Sequence, residues 1–198
     1  VYRDIQEIIR NNPSINVENE FYDLIGTGYA TYASVTVRKL TDPLPRHKHK
    51  TDRPPRSISL HILLEDILKN PRVLSRRRIL SLLLKPYYPA RRVHGDIDKT
   101  GKMGSAYISR AKVRHDLFRL SRTSKRIRRY VNKVVAHRNR VPLRSLPTFS
   151  DLDDAIDCLQ EIIKPYIFLI TGSSLAKIIP TVPDDWTKIL KVPWIKGR

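Results

Sequence analysis

A chain of 198 residues with 40% hydrophobic side chains has the length of one domain and enough apolar material for a core, which excludes wholesale disorder. Its 38 Lys and Arg against 19 Asp and Glu give a net charge of +19, so polyanions are the expected partners, nucleic acid first. No apolar run reaches the ~20 residues of a membrane span, the charged opening VYRDIQEIIR does not read as a signal peptide, and the single Cys158 allows no internal disulfide, so a cytoplasmic protein without membrane contact is expected.

In chain order, Val1 to Arg10 reads as a short helix with Ile5, Ile8 and Ile9 on one face, broken by NNPS. Phe21, Leu24, Ile25, Gly28, Tyr32, Val35 and Leu40 predict a second helix from about Val17 to Leu40. The β-branched SVTVRKL within it is the one place where a strand competes. Residues 41–56, TDPLPRHKHKTDRPPR, are a basic loop whose four prolines forbid regular structure. Ser57 is the expected N-cap of a helix carrying Ile58, Ile62, Leu63 and Ile67, and a further short helix is expected from Arg72 to Leu84, with Arg76, Arg77 and Arg78 on its polar side. Residues 85–104 form a second long loop.

The longest helical pattern runs from Ser105 to Arg138. Val113, Leu117, Leu120, Ile127, Val131 and Val134 step by threes and fours, with Ser124 bridging one gap, and nearly everything off that stripe is basic. The last major helix begins near Ser150, with Leu152, Ala155, Ile156, Leu159, Ile162 and Ile163 as its apolar face and Asp151, Asp153 and Asp154 in a first turn that favours negative charge. Pro165 is expected to kink or break it. Residues 173–198 read as a tail, including a short closing helix, packing on the bundle. The fold class is therefore all-α, an antiparallel helical bundle in a single domain with two long basic, Pro-rich loops.

Charge is also concentrated: residues 38–140 hold 29 basic and 7 acidic side chains, while the remainder is slightly acidic. Arginine dominates from Arg110 to Arg140, and its planar fork suits phosphate. Two nucleotide- or metal-type patterns fail on inspection. DIDKTG begins like a calcium loop, but the twelfth position is Tyr107 where a bidentate Glu is needed. Gly95 to Gly101 is one residue too long for a phosphate loop and is followed by Lys102-Met103. None of the six histidines pairs with a cysteine at zinc spacing, and the aspartates at 151, 153, 154 and 157 read as dipole compensation, so neither metal nor cofactor is expected.

YVNKVVAHRNR, residues 130–140, closes the long helix. His137 has two readings: a helix-end residue near the last carbonyls, or a group moving a proton at a phosphate held by neighbouring cations. The segments NKVVAHRNR, PTFSDLDDAIDCLQEIIKPYIFLITGSS and DDWTKILKVPW, with FYDLIGTGYATYASVTVRKLTD and RSISLHILLEDI upstream, resemble the AbiU-type abortive-infection family of HEPN-like proteins. The resemblance implies an α-helical HEPN fold, often dimeric, in defence or toxin–antitoxin settings. Active members cleave RNA without metal, through an Arg-x(4–6)-His motif whose arginine is often followed by a polar residue. Carried onto this chain, His137 is the motif histidine and Asn132 the polar residue, but Val131 stands where the arginine belongs. Arg126, Arg129, Lys133, Arg138 and Arg140 are the expected phosphate contacts. Arg56–His61 and Arg110–His115 also satisfy the bare spacing, as chance hits in an arginine-rich chain. RNA is thus the expected partner, with an acidic antitoxin or other partner protein as an alternative and a homodimer as the expected assembly. A degenerate HEPN domain that binds without chemistry stands beside the ribonuclease reading.

Overall fold

Six α-helices account for most of the described residues of this computed structural model, which are 2–13, 20–43, 58–83, 98, 106–136 and 143–171. They are α1 (Tyr2–Asn11), α2 (Glu20–Thr41), α3 (Leu60–Lys69), α4 (Arg76–Leu83), α5 (Arg110–Tyr130) and α6 (Phe149–Thr171). Among the described residues the only β-type pairing is one isolated bridge, Ser75 with Tyr107. Both predicted basic loops, apart from a few residues such as Asp98, and the tail 173–198 lie outside the described residues. SVTVRKL lies within α2 as helix, so burial of Ser34, Val37 and Thr41 outweighs the β preference of its branched side chains.

Helix α5 sits at the centre and packs on α2, α3 and α6. Its inner stripe follows the predicted one as far as Val131: Val113, Leu120, Ser124, Ile127 and Val131 are buried against Leu64 and Ile67 of α3, Val37 of α2 and Leu152, Leu159 and Ile162 of α6. Each fully buried aliphatic side chain contributes about 2 kcal/mol. Ser124 occupies the gap in the stripe because its hydroxyl donates to the Leu120 carbonyl at 2.6 Å and so needs no water.

Several boundaries differ from expectation. The N-cap of α3 is Ser59, whose Oγ accepts from the Ile62 amide at 3.2 Å and donates to the Asp42 carbonyl at 2.7 Å, tying α3 to the end of α2. Ile58 therefore precedes the helix and is 89% exposed. The segment after Asn70 is a 3₁₀ turn (Pro71–Leu74) followed by α4, since Pro71 starts a tight turn and Ser75 is extended. Helix α5 starts at Arg110, capped by Ser109, because the chain before it is tied to the start of α4, Tyr107 pairing with Ser75 and the Arg76 amide donating to the Ala106 carbonyl at 2.8 Å.

Helix α6 begins at Phe149 behind a reciprocal cap: Thr148 Oγ1 accepts from the Asp151 amide at 3.1 Å, and Asp151 Oδ2 accepts from the Thr148 amide at 2.7 Å. That amide, and then the Thr148 hydroxyl and Arg126, hold the Asp151 carboxyl below its ordinary value. Pro165 does not end α6, which continues to Thr171. The proline removes one ladder bond, and burial of Ile162, Tyr166 and Leu169 on either side keeps the segment helical.

Helix α1 has no buried residue and docks by its first turn. Tyr2 stacks on Tyr29 at 4.3 Å and on Phe149 at 5.4 Å, and Arg3 pairs with Asp153. Gly26 leaves room here: a Cβ would stand 2.9 Å from the Tyr2 hydroxyl, which would have to shift. Further along, α1 and α2 enclose a cleft of about 520 Å³ lined by Ile5, Ile9, Tyr22, Ile25 and Tyr130.

Candidate nucleic-acid interface

The motif end of α5 is not a plain α-helix. Val131–Val135 form a π turn, closed by the Ala136 amide on the Val131 carbonyl at 2.8 Å. The wider turn accommodates an extra residue, which rotates the side chains beyond it around the axis. Val134, expected in the core, is consequently 45% exposed, and Val135 packs partly against the core in its place.

Val131 is 1% exposed and faces inward. The position that the resemblance reserves for arginine is thus a core position here, filled by a side chain that suits it. Asn132 is exposed and Lys133 partly so; Arg126 and Arg129 are exposed on the preceding turns. Arg126 is already engaged: Nη1 donates to Asp151 at 2.7 Å and Nη2 to the Leu146 carbonyl at 3.3 Å. His137, Arg138 and Arg140 lie outside the described residues. Of the two other spacing matches, Arg110 and His115 are both exposed on α5, and Arg56 lies outside the described residues.

Two polar groups that the sequence reading gave no role are withdrawn from solvent. Asp116 is 0% exposed; it receives both a lysine, Lys112 Nζ at 2.6 and 2.7 Å, and the Tyr166 hydroxyl at 2.9 Å. Burial, and then the carboxylate, push the Tyr166 phenol far above its ordinary value, so it stays a donor. The Lys112–Asp116 spacing was visible as an i,i+4 pair, but its link to Tyr166 needs the fold. His61, at the start of α3, is mostly covered: Nδ1 lies 3.7 Å from Glu65 and finds no hydrogen-bond partner among the described residues. Burial lowers its pKa, Glu65 opposing and Arg128 reinforcing.

Among the described residues, no group of three or more His, Cys, Asp or Glu is placed to hold a metal ion, and no helix is long and apolar enough to cross a membrane. The described residues form an all-α bundle built on one central basic helix. The AbiU2 family of HEPN domains matches residues 9–189, and the chain belongs to that family. Membership places it with abortive-infection, defence-type proteins. No curated protein and no solved structure matches the chain.

Proposed function

We propose that this protein is a cytoplasmic, single-domain RNA-binding HEPN protein that engages RNA through the outer side of α5 and the motif segment after it. The observation that carries this reading is that α5 holds one carboxylate, Asp116, and buries it, so the outward face of the helix carries cations with no acid of its own among them. Arg129 and Lys133 hold phosphate in this reading, joined by Arg138, Arg140 and, on releasing Asp151, Arg126. In the catalytic form of the reading, His137 takes the proton from an RNA 2′-hydroxyl or returns one to the leaving oxygen. Asn132 positions the phosphate, and a homodimer pairs two motif ends. No metal enters this scheme.

Burial of Val131 favours the second form, in which the domain binds RNA without cleaving it: position 131 supplies no cation to a developing phosphorane. Incubation of RNA with the purified protein in chelator separates the two. Cleavage by wild type that disappears in His137→Ala supports the catalytic form; equal cleavage by both proteins removes His137 from it; binding without product supports the second. An acidic antitoxin-type partner would bind the same cations, and affinity surviving high salt would point to it rather than to phosphate.

A further inference from the structure

On α5, the side chains of Arg114, Phe118, Arg122, Lys125 and Arg129 fall within an arc of about 80° and extend along about 22 Å of helix. All five are exposed, and Phe118 is 61% exposed although an aromatic ring gains by burial. On one flank of this arc the cations are neutralised by α6: Arg119 pairs with Glu161 and Arg126 with Asp151. Within the arc, none of the four cations makes an ion pair with a described residue. The helix therefore carries a basic track without an ion pair among the described residues, with one exposed aromatic ring between Arg114 and Arg122.

We infer that this track is a binding site for single-stranded RNA, with Phe118 as a stacking platform for one unpaired base and Arg114, Arg122, Lys125 and Arg129 on the flanking phosphates. Charge alone attracts any polyanion, but a ring projecting among the cations discriminates. A base in a duplex is already stacked on both faces, whereas an unpaired base has a face to offer. The sequence pattern leaves Phe118 off the core stripe, so its exposure follows from the helix register and leaves the core filled. The inference rests on the RNA-binding reading above and deepens it by naming the strand state of the RNA and the side chain that senses it.

The test is binding of the full chain to a labelled unstructured RNA strand of about 20 nucleotides and to a blunt duplex of the same length, across a salt series. Phe118→Ala is expected to weaken single-strand binding about tenfold, to leave duplex binding unchanged and to keep the salt slope; Phe118→Trp is expected to bind at least as tightly as wild type. Arg122→Ala is expected to lower the single-strand salt slope by about 0.7, while Lys69→Ala, off the track, leaves it unchanged. Thermal melting of each variant checks that the fold is intact. Wild-type binding that Phe118→Ala leaves untouched, or weakens equally for strand and duplex, overturns the stacking site while leaving RNA binding in place. Wild type that binds neither RNA removes the RNA-binding reading itself.

Discussion

The two sides of α5 carry opposite chemistries on one helix. Inward, Val113, Leu120, Ile127 and Val131 form an apolar stripe, and the helix's one acid, Asp116, is enclosed by Lys112 and Tyr166. Outward, Arg114, Phe118, Arg122, Lys125 and Arg129 stand in solvent with no ion pair to a described residue. The inner side is specified by complementarity: its two fully buried polar side chains, Asp116 and Ser124, each have a named partner. The outer side leaves charge uncompensated, which costs a little self-repulsion and keeps the cations available to a polyanion. The fold and the proposed binding are thus separated by half a turn of helix, and substitutions should sort the same way.

The sharpest way to break that contrast is Val131→Arg, which restores the motif cation at an inward position. It should destabilise the protein by about 4 kcal/mol, because a guanidinium enters the core without a partner. Urea unfolding reads this directly, and wild-type stability would show that position 131 faces outward. Asp116→Ala comes next, at about 3 kcal/mol: it strands the Tyr166 hydroxyl inside, while the half-exposed Lys112 turns to water.

Thr148→Ala should cost about 1 kcal/mol through loss of the α6 cap. Its pH signature comes from Asp151, whose folded pKa is depressed. The stability from this group is present above the ordinary aspartate value, about 4, and is lost as pH falls through the lower folded value. In Thr148→Ala that acid loss should shrink. For His61 the folded pKa is also lowered, but the group is a base. As pH falls below about 6.5, the unfolded chain takes up the proton first, so stability declines until the folded histidine is protonated too. A His61→Leu variant should flatten that slope in melting curves taken between neutral and mildly acidic pH. The smallest effect belongs to the outer side: Arg122→Ala should shift stability by less than about 0.5 kcal/mol while changing RNA binding. A large loss of stability there would show that the track is structural.

Much of this architecture was legible from periodicity. The inner stripe of α5, the apolar face of α6 and the helical state of α2 all follow from apolar residues recurring at threes and fours, because a helix needs one face to bury. The family was legible from the order of several segments rather than from any one of them. Features set by contacts distant in sequence were not. Asp116 sits in a basic stretch, and only its approach to Tyr166, 50 residues on, marks it as interior. Continuation of α6 past Pro165 depends on packing on both sides of the proline, which a local rule does not see. The choice of Ser59 over Ser57 as cap follows from where the end of α2 offers the Asp42 carbonyl. The π turn is invisible to a periodicity reading because it changes the period itself: Val134 keeps its place in the pattern and loses it in space.

That turn also bears on how a histidine motif of variable length is to be counted. On an uninterrupted α-helix, each added residue swings the next side chain by about 100°, so motifs differing by one residue would present their histidines on different sides. A π turn takes up one residue without interrupting the helix. Between Val131 and Val135, spacing in the chain and direction in space are therefore uncoupled, and an insertion or deletion of one residue there can be absorbed by opening or closing the turn. Alignments of related chains across this segment should therefore be matched by which side chains reach the core, with Val131 and Val135 as the fixed points, rather than by residue count.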